Sequence, residues 1–120
     1  MSKATSYSKG MLAEKAAVKQ LKRGGYVVLH ERYKTKFGEI DIIAQKDDLV
    51  AFIEVKAHKS AEASLYAVTP KSRRRIEQSA MWFLSEFPAY NDYGLRFDVM
   101  VFKDGERDAE HLDNAWMVGS

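Results

Sequence analysis

The chain has 120 residues, of which 46% are hydrophobic and 30% charged, and this balance is typical of one compact soluble domain covering residues 1–120. It contains no cysteine, which excludes disulfide bonds and thiolate metal sites. No apolar run approaches the roughly 18 residues that would cross a membrane, and the N-terminus lacks the apolar core of a signal peptide. We therefore expect a cytoplasmic protein with no membrane partner.

The first half of the chain predicts one helix followed by three strands. The helix should run from about Ser8 to Arg23 and end at the Gly24-Gly25 pair. Segments rich in β-branched and aromatic residues then predict strands over Tyr26–Tyr33, Gly38–Gln45 and Leu49–Lys56. The last two should form a hairpin around the polar residues Lys46-Asp47-Asp48.

The second half predicts a helix and a further strand. After an expected loop from Ala57 to Val68, Thr69 and Pro70 supply an N-cap and a proline at the first helical position. Apolar residues then recur at helical spacing up to Pro88.

A fourth strand is predicted over Leu95–Lys103, and the remainder is ambiguous, with a short edge strand near His111-Leu112 and a final turn at Ala115-Trp116. Because helices in the order α-β-β-β-α-β can cover both faces of one sheet, we predict a three-layer α/β domain.

Two carboxylates interrupt the very apolar hairpin, Asp41 within GEIDII and Glu54 within FIEVK. Since side chains alternate along a strand, Glu54 shares a face with Lys56, and Asp41 shares one with Glu39. A two-residue turn at Asp47-Asp48 would place Asp41 directly opposite Glu54, with Cβ atoms about 5 Å apart. A three-residue turn would put the two carboxylates on opposite faces, unless a β-bulge intervenes.

Facing carboxylates predict a metal site. Like charges directly opposite each other are destabilising unless a proton or a cation lies between them. Mg²⁺, with Mn²⁺ as a substitute, prefers such hard oxygen ligands. Lys56 would then orient water or stabilise charge developing on a phosphate. The alternative is that these residues are exposed charges on the wet face of a hairpin.

Glu14 is an acidic residue on the apolar side of the first helix. At about 100° per residue it falls in the stripe formed by Met11, Ala17 and Leu21. A glutamate in that position should be paired or functional. It is either a further metal or water ligand or an ion-paired residue at the rim of the helix–sheet interface.

The start of the second helix is basic, with cations at Lys71, Arg73, Arg74 and Arg75. Cations at a helix N-terminus oppose the helix dipole, so this placement favours contact with phosphate, for which Lys71 is the best single candidate. The alternative is a solvated basic face.

Other polar and aromatic residues carry weaker signals. Asp98 is predicted to be a structural partner of an arginine such as Arg96 or Arg32. The three histidines, His30, His58 and His111, lack metal-ligand spacing and are predicted to be surface residues. Three aromatic residues are candidates for stacking on bases, with a core or rim position as the alternative: Tyr33, Phe37 and Tyr66.

Six blocks of sequence, in order, resemble the YraN family of small bacterial proteins. The blocks are GMLAEKAA (10–17), GYVVLHERY (25–33), GEIDIIA (38–44), FIEVK (52–56), AVTPK (67–71) and RFDV (96–99). That family looks like Holliday-junction resolvases of the PD-(D/E)xK nuclease superfamily. The resemblance implies a restriction-endonuclease-like core with a mixed sheet and, by analogy, Mg²⁺-dependent cleavage of DNA, in branched or damaged structures.

The resemblance also implies roles for individual residues. Asp41, Glu54 and Lys56 match the superfamily's metal carboxylates and lysine, Glu14 matches the acidic residue of the first helix, and Lys71 matches the basic residue that opens the second.

A homodimer follows by the same analogy. One departure concerns local substrate contacts, because Ala57-His58 stands where the family tends to have Thr-Arg. The competing function is a non-catalytic nucleic-acid-binding or interaction module with the same fold.

Overall fold

Five strands and two long helices make up most of the fold. This computed structural model describes residues 6–57, 68–103 and 106–119, and it describes side chains from residue 10 onward. The helices are α1 (Ser6–Arg23) and α2 (Pro70–Glu86). The strands are β1 (Val27–Thr35), β2 (Gly38–Lys46), β3 (Leu49–Ala57), β4 (Gly94–Phe102) and β5 (Glu110–Trp116). Most of the predicted 57–68 loop, with His58 and Tyr66, lies outside the described residues.

The strands form one mixed sheet in the order β1-β2-β3-β4-β5. The pair β3–β4 is parallel and the other three pairs are antiparallel. A parallel pair needs a long crossover, and α2 lies in the connection between β3 and β4. The predicted order α-β-β-β-α-β is confirmed, with β5 added at the edge.

The last strand is longer than the sequence indicated. The expected turn at Ala115-Trp116 is wrong, because both residues continue β5, and Trp116 pairs with Phe97 across the β4–β5 ladder. The two rings also stack, with centroids 5.2 Å apart. This aromatic contact holds the end of β5 on the sheet, which residue propensity alone does not reveal.

The β2–β3 hairpin has the two-residue turn on which the metal-site prediction depends. Lys46 pairs with Leu49, and the ladder runs regularly to Ile42 opposite Ile53. Asp47 adopts a left-handed backbone conformation with φ 53°, as tight hairpin turns require. This register would bring Asp41 opposite Glu54, but the paired ladder ends one step earlier, at Ile42 and Ile53.

Both faces of the sheet are buried, each beneath one helix. On one face Val50 and Phe52 pack with Ile76, Ala80 and Phe83 of α2. On the other, Ala51 and Ile53 pack with Ala17, Val18 and Leu21 of α1. The three-layer prediction is confirmed, and the arrangement is compatible with a nuclease-like fold. Asp41, Glu54 and Lys56 are half-buried, so their interpretation as exposed charges on a wet face of the hairpin is wrong.

The predicted start of α2 is also confirmed, with Thr69 as N-cap accepting a hydrogen bond from the Ser72 N–H at 3.2 Å and Pro70 in the first turn. Neither described helix is long and apolar enough to cross a lipid bilayer.

Candidate active site

The site begins where β2 and β3 separate. The regular ladder stops at Ile42–Ile53, and beyond it the Asp41 Oδ2 accepts a hydrogen bond from the Val55 N–H at 2.8 Å. The alternation of β2 breaks at the same point, since Ile42 packs on the α1 side whereas Ile40 packs on the α2 side. A side chain thus replaces a main-chain acceptor and holds the two strands together at the site.

Three carboxylates meet beside this separation point. One oxygen from each of Glu14, Glu39 and Asp41 lies within 4.8 Å of the others. Helix α1 supplies Glu14, and β2 supplies the other two. The Arg32 Nε lies 3.2 Å from the Glu39 Oε1, so one member of the cluster has a cationic neighbour from β1. We call these three residues the carboxylate cluster.

Glu14 is held in an environment that disfavours its charge. Its Oε1 is buried without a hydrogen-bond partner, which makes it the orphaned side-chain atom of the described residues. Burial raises the pKa of Glu14 to about 7, the negative charge of Asp41 adds to the shift, and Arg32 opposes it. The position on the apolar stripe of α1 therefore buries a carboxyl that has one oxygen without a hydrogen-bond partner.

Glu54 lies near the cluster, close enough to Asp41 for that carboxyl to influence its pKa. Burial raises the pKa of Glu54 to about 8, helped by the charge of Asp41 and the hydrogen bond with it, while Lys56 and Arg75 lower it. The Lys56 Nζ lies 3.7 Å from the Glu54 Oε2. Neighbouring buried carboxyls favour a proton or a cation near them, because two negative charges at close range repel each other.

These residues fit a hard divalent cation. All the side-chain ligands are carboxylate oxygens, which Mg²⁺ and Mn²⁺ prefer. The unpartnered Glu14 Oε1 and the mutual proximity of three like charges are both disfavoured without a counterion. Glu14, Glu39 and Asp41 would hold the ion, with Glu54 next to it.

Glu39 is the member of this group that sequence reasoning did not select. The signal was present, because the spacing E-x-D in GEID puts Glu39 on the same strand face as Asp41. Its closeness to Glu14 depends on how α1 packs over the start of β2. That relation is long-range, and no local pattern encodes it.

A cleft connects the carboxylate cluster to the start of α2. It is a cavity of about 220 Å³ whose lining includes Gly38, Glu39, Glu54, Ser72, Arg75 and Ile76. Arg75 Nη2 also donates a weak hydrogen bond to Ser72 Oγ at 3.4 Å. The cleft therefore has carboxylates on one wall and a guanidinium on the other.

The basic run at the start of α2 divides into residues with different surroundings. Arg75 lines the cleft, whereas Arg73 donates from Nε to the Val68 carbonyl at 3.1 Å and lies over the Trp116 ring. Arg74 lines a separate depression with Met81 and Val118. Lys71, the favoured candidate from sequence, is exposed in the first turn and does not line the cleft.

A second ionic group, centred on Asp98, has a structural role. Asp98 is fully buried and accepts from Arg96 Nε and Nη2 at 2.8 and 2.7 Å and from the Asn114 N–H at 3.0 Å, while His111 Nε2 lies 2.8 Å away. Burial alone would raise the pKa of Asp98, but the hydrogen bonds with His111 and Arg96 hold it below its ordinary value. The predicted Arg96–Asp98 pair is confirmed.

Two of the histidine predictions are wrong. His111 is half-buried against Asp98, because β5 pairs with β4 and brings the ring over that carboxylate. His30 is half-buried among aromatic rings, with centroids 5.2 Å from Tyr33 and 5.1 Å from Phe87. Both burials arise from long-range pairings.

Comparison with known proteins identifies relatives across most of the chain. The model of a family described as "Uncharacterised protein family UPF0102" matches residues 13–102. This range contains the carboxylate cluster together with Glu54, Lys56 and Arg75. A UPF0102 protein of Rhodopseudomonas palustris (strain ATCC BAA-98 / CGA009) is 42% identical over 101 residues, covering 84% of this chain and 78% of that protein.

Two further relatives show the same pattern. A UPF0102 protein of Bradyrhizobium diazoefficiens is 42% identical over 96 residues, covering 80% of this chain and 72% of its own. A UPF0102 protein of Parvibaculum lavamentivorans is 38% identical over 111 residues, covering 92% of this chain and 83% of that protein.

Proposed function

Because this chain belongs to the uncharacterised protein family UPF0102, the YraN family, and places a carboxylate cluster beside a cationic cleft, we propose that it is a metal-dependent endonuclease that cleaves DNA. The observation that carries the proposal is the unpartnered, buried Glu14 Oε1 within a group of three carboxylates. The resemblance of the family to Holliday-junction resolvases favours branched DNA as the substrate.

The cation site comes from the carboxylates. A Mg²⁺ or Mn²⁺ ion held by Glu14, Glu39 and Asp41 would act as a Lewis acid toward the phosphate. In the metal-free protein, burial and the neighbouring Asp41 raise the pKa of Glu54 to about 8. Positive charge entering the cluster would favour the ionised form of Glu54 and so lower this pKa.

The opposite wall of the cleft would bind the phosphate. The Arg75 guanidinium presents several N–H donors, a geometry suited to phosphate oxygens. Ser72, in hydrogen-bond contact with Arg75, restricts where that guanidinium points. The phosphodiester would thus be fixed between Arg75 and the carboxylates.

Lys56 supplies the remaining positive charge. Its ammonium lies beside Glu54, and as a cation it cannot be a metal ligand. We assign it to orient the attacking water or to stabilise negative charge that grows on the phosphate during cleavage.

The test is incubation with linear, flapped and four-way DNAs, with Mg²⁺, with Mn²⁺ and with a chelator. We expect cleavage only with a divalent cation, strongest on branched DNA, and lost in Asp41→Asn. Asp92→Asn, an exposed carboxylate in the turn before β4, is the matched control and should cleave normally. No cleavage of any DNA with either ion would refute the proposal.

A non-catalytic nucleic-acid-binding module is the second candidate. The Arg32–Glu39 ion pair favours it, because it neutralises part of the cluster without a metal. Calorimetric titration with Mn²⁺ separates the two functions. A nuclease should show a saturable metal site that is lost in Glu14→Gln and Asp41→Asn, whereas a binding module should show no such site.

A further inference from the structure

A cationic aromatic platform lies beside the cleft, at the two-residue turn between β1 and β2. Phe37 of this turn and Trp82 of α2 meet edge to face, with centroids 6.1 Å apart, and both side chains are half-exposed. The ammonium of exposed Lys36 lies 5.3 Å from the Phe37 ring centroid and 5.6 Å from that of Trp82. Aromatic faces with a neighbouring cation are the elements that proteins use to bind single-stranded nucleic acid.

The platform is fixed relative to the cleft. The Phe37 N–H donates to Thr35 Oγ1 at 3.0 Å, and that hydroxyl is hydrogen-bonded to Ser79 Oγ of α2 at 2.8 Å. These contacts tie the turn to the same helix that carries Arg75. Gly38, which follows Phe37 directly, lines the cleft.

The spacing suits two neighbouring parts of one nucleic-acid strand. Trp82 follows Arg75 by seven residues, or about 10 Å along the helix axis. A nucleic-acid strand with one phosphate bound in the cleft would therefore bring an adjacent base to the platform. Bases within a duplex are already stacked on each other, so only an unpaired base can present its face to these rings.

We propose that Phe37 and Trp82 stack an unpaired base next to the phosphate in the cleft, and that this contact selects DNA with unpaired nucleotides over continuous duplex. The inference rests on the proposed nucleic-acid function. Lys36, whose ammonium lies over both rings, would then contact the strand's phosphates. Base stacking and phosphate binding are thereby assigned to adjacent parts of one surface.

The two tryptophans of the chain provide a direct test. Trp82 is half-exposed, whereas Trp116 is 5% exposed and donates to Glu77 at 3.0 Å. Oligothymidine added without metal should quench tryptophan emission in the wild type and in Trp116→Phe, but not in Trp82→Phe. Inorganic polyphosphate, which has charge but no bases, should compete for binding without quenching.

Conservative variants at Phe37 separate stacking from folding. Phe37→Leu keeps an apolar side chain but lacks a π face, and should weaken oligothymidine binding about tenfold, as expected for one base–aromatic contact. Phe37→Tyr should restore it, and neither should change duplex binding. Melting curves by circular dichroism verify that both variants fold.

The outcomes distinguish this inference from the nuclease proposal. No oligothymidine binding, unquenched Trp82 emission in the complex, or equal affinity of Phe37→Leu and wild type would overturn the platform while leaving metal-dependent cleavage intact. Conversely, stacking at Trp82 in a protein that cleaves no DNA would support the platform and refute the nuclease.

Discussion

The Asp41 carboxylate accepts a hydrogen bond from the Val55 backbone N–H, at the position where the β2–β3 ladder loses its regular pairing. One side chain therefore has two roles. It keeps β3 attached to β2 beyond Ile53, and it contributes negative charge to the carboxylate cluster. The first role needs only an acceptor oxygen, whereas the second needs the charge, so substitutions can separate them.

Asp41→Asn and Asp41→Ala should differ in stability but not in metal affinity. Asparagine retains an acceptor for the Val55 N–H and removes repulsion within the cluster, so we expect stability equal to or above that of the wild type. Alanine leaves the N–H unpaired, which costs about 1–3 kcal/mol. Both variants should lose the metal site. Urea unfolding and calorimetry measure the two effects, and equal destabilisation by both substitutions would contradict the dual role.

The metal-free protein should lose stability as pH rises. The pKa values of Glu14 and Glu54 are raised in the fold to about 7 and about 8, from 4.5 for an ordinary glutamate. A carboxyl with a raised pKa binds its proton more tightly in the folded protein than in the unfolded chain. Its contribution to stability is therefore complete at low pH and is lost as the pH rises through the pKa of the folded state. Melting temperatures should therefore fall between about pH 5 and about pH 8.

Two controls test the origin of this slope. Glu54→Gln should flatten it, whereas Asp92→Asn should leave it unchanged. Because protons and a divalent cation compete for the same carboxylates, Mn²⁺ should raise the melting temperature more at about pH 8 than at about pH 5.5. A melting temperature that does not depend on pH would show that these carboxyls are not buried as described.

Lys56→Ala should impair cleavage without impairing metal binding. Removing an ammonium 3.7 Å from Glu54 removes a repulsive charge, so metal affinity should stay similar or rise slightly. Cleavage should fall by about two to three orders of magnitude, the range for losing one electrostatic group that acts on the transition state. Calorimetry and single-turnover cleavage measure both quantities, with Glu54→Ala as the comparison that should lose both. Cleavage by Lys56→Ala at the wild-type rate would make this lysine structural.

The three consecutive arginines of α2 form a matched series. Arg75→Ala should weaken DNA binding about tenfold and reduce the salt dependence of affinity by about one counterion, because Arg75 lines the cleft. Arg74→Ala, on another surface, should change affinity much less. Arg73→Ala should lower stability by about 1 kcal/mol through loss of its hydrogen bond and its contact with Trp116. Equal effects of Arg74→Ala and Arg75→Ala on affinity would indicate a diffuse basic face.

What the sequence could predict depended on how local the information was. The turn at Asp47-Asp48 and the alternation of β2 and β3 set the register as far as Ile42–Ile53, but not the break beyond it, where the Asp41 side chain accepts from the Val55 N–H. Thr69-Pro70 likewise located the start of α2. The approach of Glu39 to Glu14, and of His111 to Asp98, depends on packing between distant segments. The different surroundings of Arg73, Arg74 and Arg75 depend on how α2 is rotated over the sheet, which a charge run does not encode.

The position of β3 has a consequence for hydrogen exchange. This strand pairs with β4 along all of Leu49–Ala57 and with β2 along its first half, so we expect its amides to exchange mainly through global unfolding. Helix α1, which carries Glu14, packs on the sheet by a single face and can open locally. A divalent cation that joins Glu14 to β2 should therefore slow amide exchange in α1 far more than in β3. Deuterium uptake along the chain would then show which segment the metal fixes in place.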